Sequence, residues 1–224
     1  STALKQELLN YYRQGYFTIP QIGLSMTSDG NPNLHYEDDV ANGLLDDDIA
    51  SFISGLQNLA LPVYLRIGYE FNGTTWNGYQ PDTYKQAFIH ITQMLRGSGL
   101  EVATVWDFSL DGDMNFMAYY PGDDVVDWWG VNPFSISHIT SAYTMAFLDS
   151  AHLHQKPVLI GESTPRYVGV TGGQADCDAW FVPFYNLIHS QPGLKMLGYI
   201  NWNWADYPQW YNWGDARLES NAVV

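Results

Sequence analysis

Short, unbroken apolar runs alternate with longer runs at helical spacing along the whole chain, and few architectures accept that alternation. VYLRIG (63–68) and VLIG (158–161) read as continuous apolar stretches and not as apolar/polar alternation. A strand apolar on both faces is covered on both faces, the condition of a parallel sheet wrapped by helices. Strands are expected at 16–26, 62–71, 101–110, 127–134, 156–164 and 194–204, and helices at 3–14, 46–60, 81–96, 141–154 and 176–190, with a polar loop over 27–43. Pro81 and Asp82 open the third helix and Gly97 follows it, while Pro183 is expected to kink the last helix or mark a later start.

Repeated β–α–β order places the chain in the α/β class. The expected architecture is a (β/α) TIM-type barrel in one domain over 1–224, with an open doubly wound sheet as the alternative. A complete barrel has eight strands and about 250 residues, so six strands imply that the first two are missing.

Nine Lys and Arg stand against 24 Asp and Glu, a formal charge of -15. Such a surface repels nucleic acid and anionic membranes and tolerates a neutral polymer, although acidity also serves solubility alone. Aromatic residues make up 16% of the chain, and Trp76, Trp106, Trp202, Trp204, Trp210 and Trp213 fall at or just after expected strand ends. Indole and phenol rings offer an apolar face with a polar handle, which suits a sugar ring as well as a core. The single cysteine, Cys177, excludes an intrachain disulfide, and the six histidines form no ligand set, so no metal or cofactor is expected. No run of about 18 apolar residues exists to span a membrane. The chain opens at Ser1 and leads into a helix, which reads as a processed or trimmed start; separately, the protein is expected to be secreted or extracellular.

Two expected strands end in a glutamate with small or polar residues beyond: RIGYEFNG at Glu70 and LIGEST at Glu162. In a barrel, strand C-terminal ends carry the chemistry. Cleaving a glycosidic bond needs two carboxyl groups flanking it, and these glutamates meet only if the fold joins their strand ends.

At these residues the sequence resembles clan A glycoside hydrolases, and within them family 26. LRIGYEFNGTTWNGY (65–79), YYPGDDVVDWWGVNPF (119–134), KPVLIGEST (156–164) and YINWNWADYPQWYNWGDARL (199–218) follow the family's motif order and cover most of the chain. Arg66, Glu70, Asn72, Gly73 and Trp76 match the fourth-strand motif; Tyr69 stands where the family has His. The resemblance implies Glu70 as general acid/base and Glu162 as nucleophile, with Trp202 or Trp204 as the eighth-strand tryptophan. It also implies a β-linked polysaccharide substrate, mannan first and β-glucan next. Phe134 stands where relatives often carry a Tyr that touches the nucleophile.

Arg66, on the same strand face as residues 68 and 70, is expected to orient Glu162, while Tyr69 points the other way. Asn72, Trp76, Trp106, Asn132, Trp202 and Trp204 complete the expected substrate-binding set. Two other readings stay open: a non-catalytic carbohydrate-binding protein, and a self-assembling one. Open barrel edges invite pairing, and a homodimer is expected to cover them.

Overall fold

The computed structural model describes residues 2–28, 30–221 and 223. Ser1, where the processed start was expected, lies outside the described residues, as do Asp29 of the 27–43 segment, Ala222 and Val224. Two compact units emerge: residues 1–107 with 115–128, and residues 108–114 with 129–224.

The first unit runs α1 (Thr2–Arg13), β1 (Gln21–Leu24), β2 (Thr27–Ser28), β3 (Asn31–His35), α2 (Glu37–Ala41), α3 (Asp46–Leu59), β4 (Val63–Ile67), α4 (Pro81–Gly97) and most of β5 (Val102–Ser109). β4 lies between β1 and β5 and is parallel to both, with Arg66 opposite Gly23 on one side and Val105 on the other. The expected 27–43 loop is in fact structured: β2 and β3 form an antiparallel pair and α2 follows.

α4 buries Tyr84, Ala87, Phe88, Ile91, Thr92 and Leu95, one stripe at helical spacing. Each large apolar side chain buried there contributes roughly 1.5–3 kcal/mol. Its N-terminus is tied down by Glu37, a fully buried carboxylate that accepts from Gln80 N–H at 3.0 Å and favours the positive end of the helix dipole. Tyr79 is held nearby by Met26 N–H, which donates to its hydroxyl at 2.8 Å; burial pushes that phenol up to about 12.

The second unit holds most of β6 (Trp128–Asn132), then α5 (Ile136–Ile139), α6 (Ala142–Leu153), β7 (Val158–Ile160), α7 (Gln174–Asp176), α8 (Val182–Ser190) and β8 (Leu194–Leu197). β7 lies between β6 and β8 and is parallel to both. Phe147 of α6 stacks on Phe108 at 4.9 Å and packs on Trp129 at 4.9 Å. The helix expected over 176–190 is helical throughout and starts at Gln174; a π-helical turn over Cys177–Phe181 links α7 to α8, with Pro183 in the first turn of α8.

Several strands are shorter than expected. β4 stops at Ile67 because Gly68 takes a left-handed φ of 54°. A Cβ on Gly68 would come within 2.7 Å of Tyr84 and 2.8 Å of Met26, so only glycine fits. β8 ends at Leu197, seven residues before the expected 204. Gly198 there packs closely against Gly161, whose carbonyl oxygen would lie 2.5 Å from an added Cβ. β1 covers only 21–24 of the expected 16–26. Among the described residues no helix is long and apolar enough to cross a membrane.

Candidate active-site residues at two strand exits

Glu70 lies beyond the end of β4, in a turn and not on the strand. Its φ is 54°, the left-handed region, which costs a non-glycine residue about 1–2 kcal/mol. The turn is closed by Gly73 N–H, which donates to Glu70 O at 2.9 Å. Asn77 adds a second hold: its side-chain amide donates to the carbonyl oxygens of Tyr69 at 3.0 Å and Glu70 at 2.8 Å. Asn77 N–H in turn donates to Gly73 O at 2.8 Å. The Glu70 residue is half-buried and Asn77 is buried. Sequence reasoning missed Asn77; the Asn-Gly pair at 77–78, a turn signal, marked its position.

Residues 66, 68 and 70 do not share a strand face as expected, because two of the three residues after Ile67 leave extended geometry. Arg66 makes a two-pronged ion pair with Asp107 of β5, Nε to Oδ2 at 2.8 Å and Nη2 to Oδ1 at 3.1 Å. Both side chains are buried, at 6% and 0% exposure. The Arg66 guanidinium also lies over the Tyr69 ring, 5.0 Å from its centroid. Tyr69 therefore shares the surroundings of Arg66, and its ring fills the space above Gly23, where a Cβ would meet it at 2.9 Å.

Three other expected binding residues of this unit fall differently. Trp106 is fully buried and stacked on Phe71 at 4.4 Å with a 7° interplanar angle, so it is core and offers no platform to a sugar. Asn72 is also fully buried within the turn. Trp76 is half-buried and packs on Gly73, where a Cβ would approach its ring to 2.3 Å. Its indole N–H has no hydrogen-bond partner among the described residues.

Glu162 follows β7 by two residues and is half-buried. Its backbone N–H donates to Asn132 Oδ1 at 3.0 Å. Asn132, the last residue of β6, is fully buried. It was expected to bind substrate, and the structure gives it a hold on the Glu162 backbone. Beyond Glu162 the chain is tied to the segment after β8: Ile200 N–H donates to Ser163 O at 2.8 Å, and the Trp204 indole donates to Thr164 Oγ1 at 3.0 Å. Trp202 is 48% exposed and stacks on Tyr207 at 6.1 Å. Of the two tryptophans it presents the freer face, while Trp204 supports the β7 exit.

Phe134 is buried, with its ring 5.6 Å from that of Trp213. Arg166 lies over Phe134, Tyr167 and Trp213, with centroid distances of 5.6, 5.2 and 5.1 Å. It makes two hydrogen bonds to Asp111, at 2.7 and 3.0 Å. His138 Nδ1 accepts from Phe134 N–H at 3.3 Å, which leaves Nε2 to face Asp111 Oδ1 at 3.1 Å. Burial pushes the Asp111 carboxyl up, but the hydrogen bonds of His138 and Arg166 and the charge of the Arg166 guanidinium outweigh it and hold the group well below the usual carboxylate range.

Residues 16–161 match the profile of glycosyl hydrolase family 26, about two-thirds of the chain, ending one residue before Glu162. The chain belongs to glycosyl hydrolase family 26. It is 32% identical over 211 residues to a β-1,3-xylanase, TXYA, of a Vibrio species, covering 80% of this chain and 45% of that protein. A β-1,3-xylanase of an Alcaligenes species is 29% identical over 209 residues, covering 80% and 44%. The chain thus spans about half the length of the curated relatives it matches. Among solved structures, a family 26 β-mannanase of Bacteroides ovatus superposes with a TM-score of 0.67 at 15% identity, covering 98% of this chain and 66% of that one. That likeness establishes the fold: a family 26 (β/α) barrel, represented among the described residues by six β/α strands.

Proposed function

We propose that this chain hydrolyses a β-linked polysaccharide with retention of anomeric configuration, Glu162 acting as nucleophile and Glu70 as general acid/base. The observation that carries the reading is that each glutamate sits just past a parallel strand with its own backbone fastened by a buried asparagine side chain. Preorganised carboxyl groups at barrel strand exits are what two-step glycoside cleavage requires. Family membership supports the same chemistry.

In the first step the Glu162 carboxylate attacks the anomeric carbon while the Glu70 carboxyl gives its proton to the departing glycosidic oxygen. The C–O bond breaks and a glycosyl ester on Glu162 forms. In the second step Glu70, now a carboxylate, takes a proton from water as the water oxygen attacks the same carbon. The ester bond breaks, Glu162 regains its charge, and the sugar leaves with its original anomeric configuration. Asn132 and Asn77 hold the two backbones, and Trp202 offers its exposed ring to an apolar sugar face.

For the polymer, the family resemblance favours mannan, but the two named sequence relatives are β-1,3-xylanases at 32% and 29% identity. The mannanase likeness at 15% identity is one of fold. We therefore place β-1,3-xylan first, mannan second and β-glucan third. Action on such a polymer goes with a secreted protein. The expected homodimer is supported by the apolar face of the N-terminal segment, where Tyr12 and Phe17 are 67% and 72% exposed; light scattering reads it directly.

The test is incubation with β-1,3-xylan, β-1,4-mannan and β-glucan, following the first product by NMR. Retained configuration on one of them is expected. Inversion contradicts the assigned roles, and binding without turnover favours the non-catalytic carbohydrate-binding reading.

A further inference from the structure

We propose that Asn77 is a positioning residue for acid catalysis: its side-chain amide holds the Glu70 carboxyl in its proton-donating position by locking the left-handed turn beneath it. The inference rests on the reading of Glu70 as acid/base. A glutamate at a φ of 54° keeps that conformation only where surrounding groups over-determine it. Glu70 O accepts two hydrogen bonds here, from Gly73 N–H at 2.9 Å and from the Asn77 amide at 2.8 Å, and the second amide hydrogen goes to Tyr69 O at 3.0 Å.

The residue type matters. Two hydrogens on one nitrogen are needed to reach two successive carbonyls, and a primary amide supplies them; aspartate and leucine, of similar size, supply none. Asn77 is only 4% exposed, and its side chain spends both amide hydrogens on backbone, so it acts through Glu70. The geometry of that turn sets where the carboxyl points, and general acid catalysis is sensitive to that direction.

The experiment compares Asn77→Ala with the wild-type chain on two substrates. One is the polysaccharide of the panel above that the wild type cleaves. The other is the 2,4-dinitrophenyl β-glycoside of its repeating sugar, whose leaving group departs without a proton. The expected result is a kcat on the polysaccharide lower by about 30-fold with KM within about twofold, and a loss below about threefold on the first step of the activated glycoside. Asn77→Ser, which keeps one donor, recovers part of the polysaccharide rate, and Asn77→Asp does not. Equal losses on the two substrates, or none, overturn the proposal; should the alanine variant not fold, the serine and aspartate variants are read in the same way. Glu70→Ala is measured alongside. If it too loses both activities equally and azide restores nothing with the activated glycoside, the acid/base reading of Glu70 falls; if it behaves as an acid/base variant and Asn77→Ala does not follow it, only the positioning role falls.

Discussion

The exits of β4 and β7 solve one problem in two ways. At β4, Glu70 is fastened from within its own turn: Gly73 and Asn77, three and seven residues on, supply the hydrogen bonds, and the turn accepts a left-handed φ at a non-glycine residue. At β7, Glu162 is fastened from the neighbouring strand: Asn132, 30 residues earlier, accepts its N–H. The first hold is local and strained, the second non-local and relaxed. In the proposed chemistry Glu70 gives and takes a proton and depends on direction, whereas Glu162 forms a bond and depends on closeness to the anomeric carbon. The ion pairs differ in the same sense: Arg66–Asp107 below the β4 exit is buried, while Asp111 of the Arg166–Asp111–His138 cluster keeps 37% of its side chain exposed.

The sharpest break between the two exits is in kinetics. Glu162→Ala is expected to abolish hydrolysis, with azide restoring a glycosyl azide, whereas Glu70→Ala loses about 10²–10⁴-fold on polysaccharide and far less on an activated aryl glycoside. Full activity in the Glu162 variant ends the assignment. Next in size is Arg66→Ala, which leaves the Asp107 carboxylate buried without its guanidinium and is expected to cost about 3–5 kcal/mol in urea unfolding. A cost under about 1 kcal/mol means that water reaches the pair. Asn132→Ala removes the acceptor for Glu162 N–H and is expected to cost about 1–2 kcal/mol, with a drop in kcat. An unchanged kcat at that stability loss would make the β7 hold purely structural.

The smallest effect concerns Asp111. Its folded pKa lies below the ordinary 3.8, so the stability it contributes is present above that value and is lost as pH falls toward the depressed one. The Tm gap between the wild type and Asp111→Asn is expected to stay level between about pH 5 and 7 and to shrink below about pH 4. A gap that widens in acid reverses the sign and removes the proposed pairing.

Much of the layout is legible in the sequence alone. The α4 helix ends within one residue of its expected limit because Pro81, the apolar spacing and the glycine near its end all agree. The parallel arrangement followed from strands without alternation. The site was less legible. RIGYE looked like one strand, but Gly68 ends it, since backbone geometry at a glycine depends on what crowds its Cα. Trp106 stood in a binding set on its place near a strand end, while Phe71, 35 residues away in sequence, closes over it. Asn132 stands at the expected strand end, and its hold on the Glu162 backbone, 30 residues on, is visible only in the fold.

Local order along this chain follows from its own residues: where helices start, which strands are buried on both faces, and where a glutamate follows a strand. Partners were decided by the tertiary structure, because periodicity encodes which way a side chain faces and not what waits there. Arg66 and Asp107 stand 41 residues apart, and nothing in either neighbourhood names the other. Only when β4 and β5 lie side by side does burial make that pairing obligatory, since a lone charge there would lose its water without compensation.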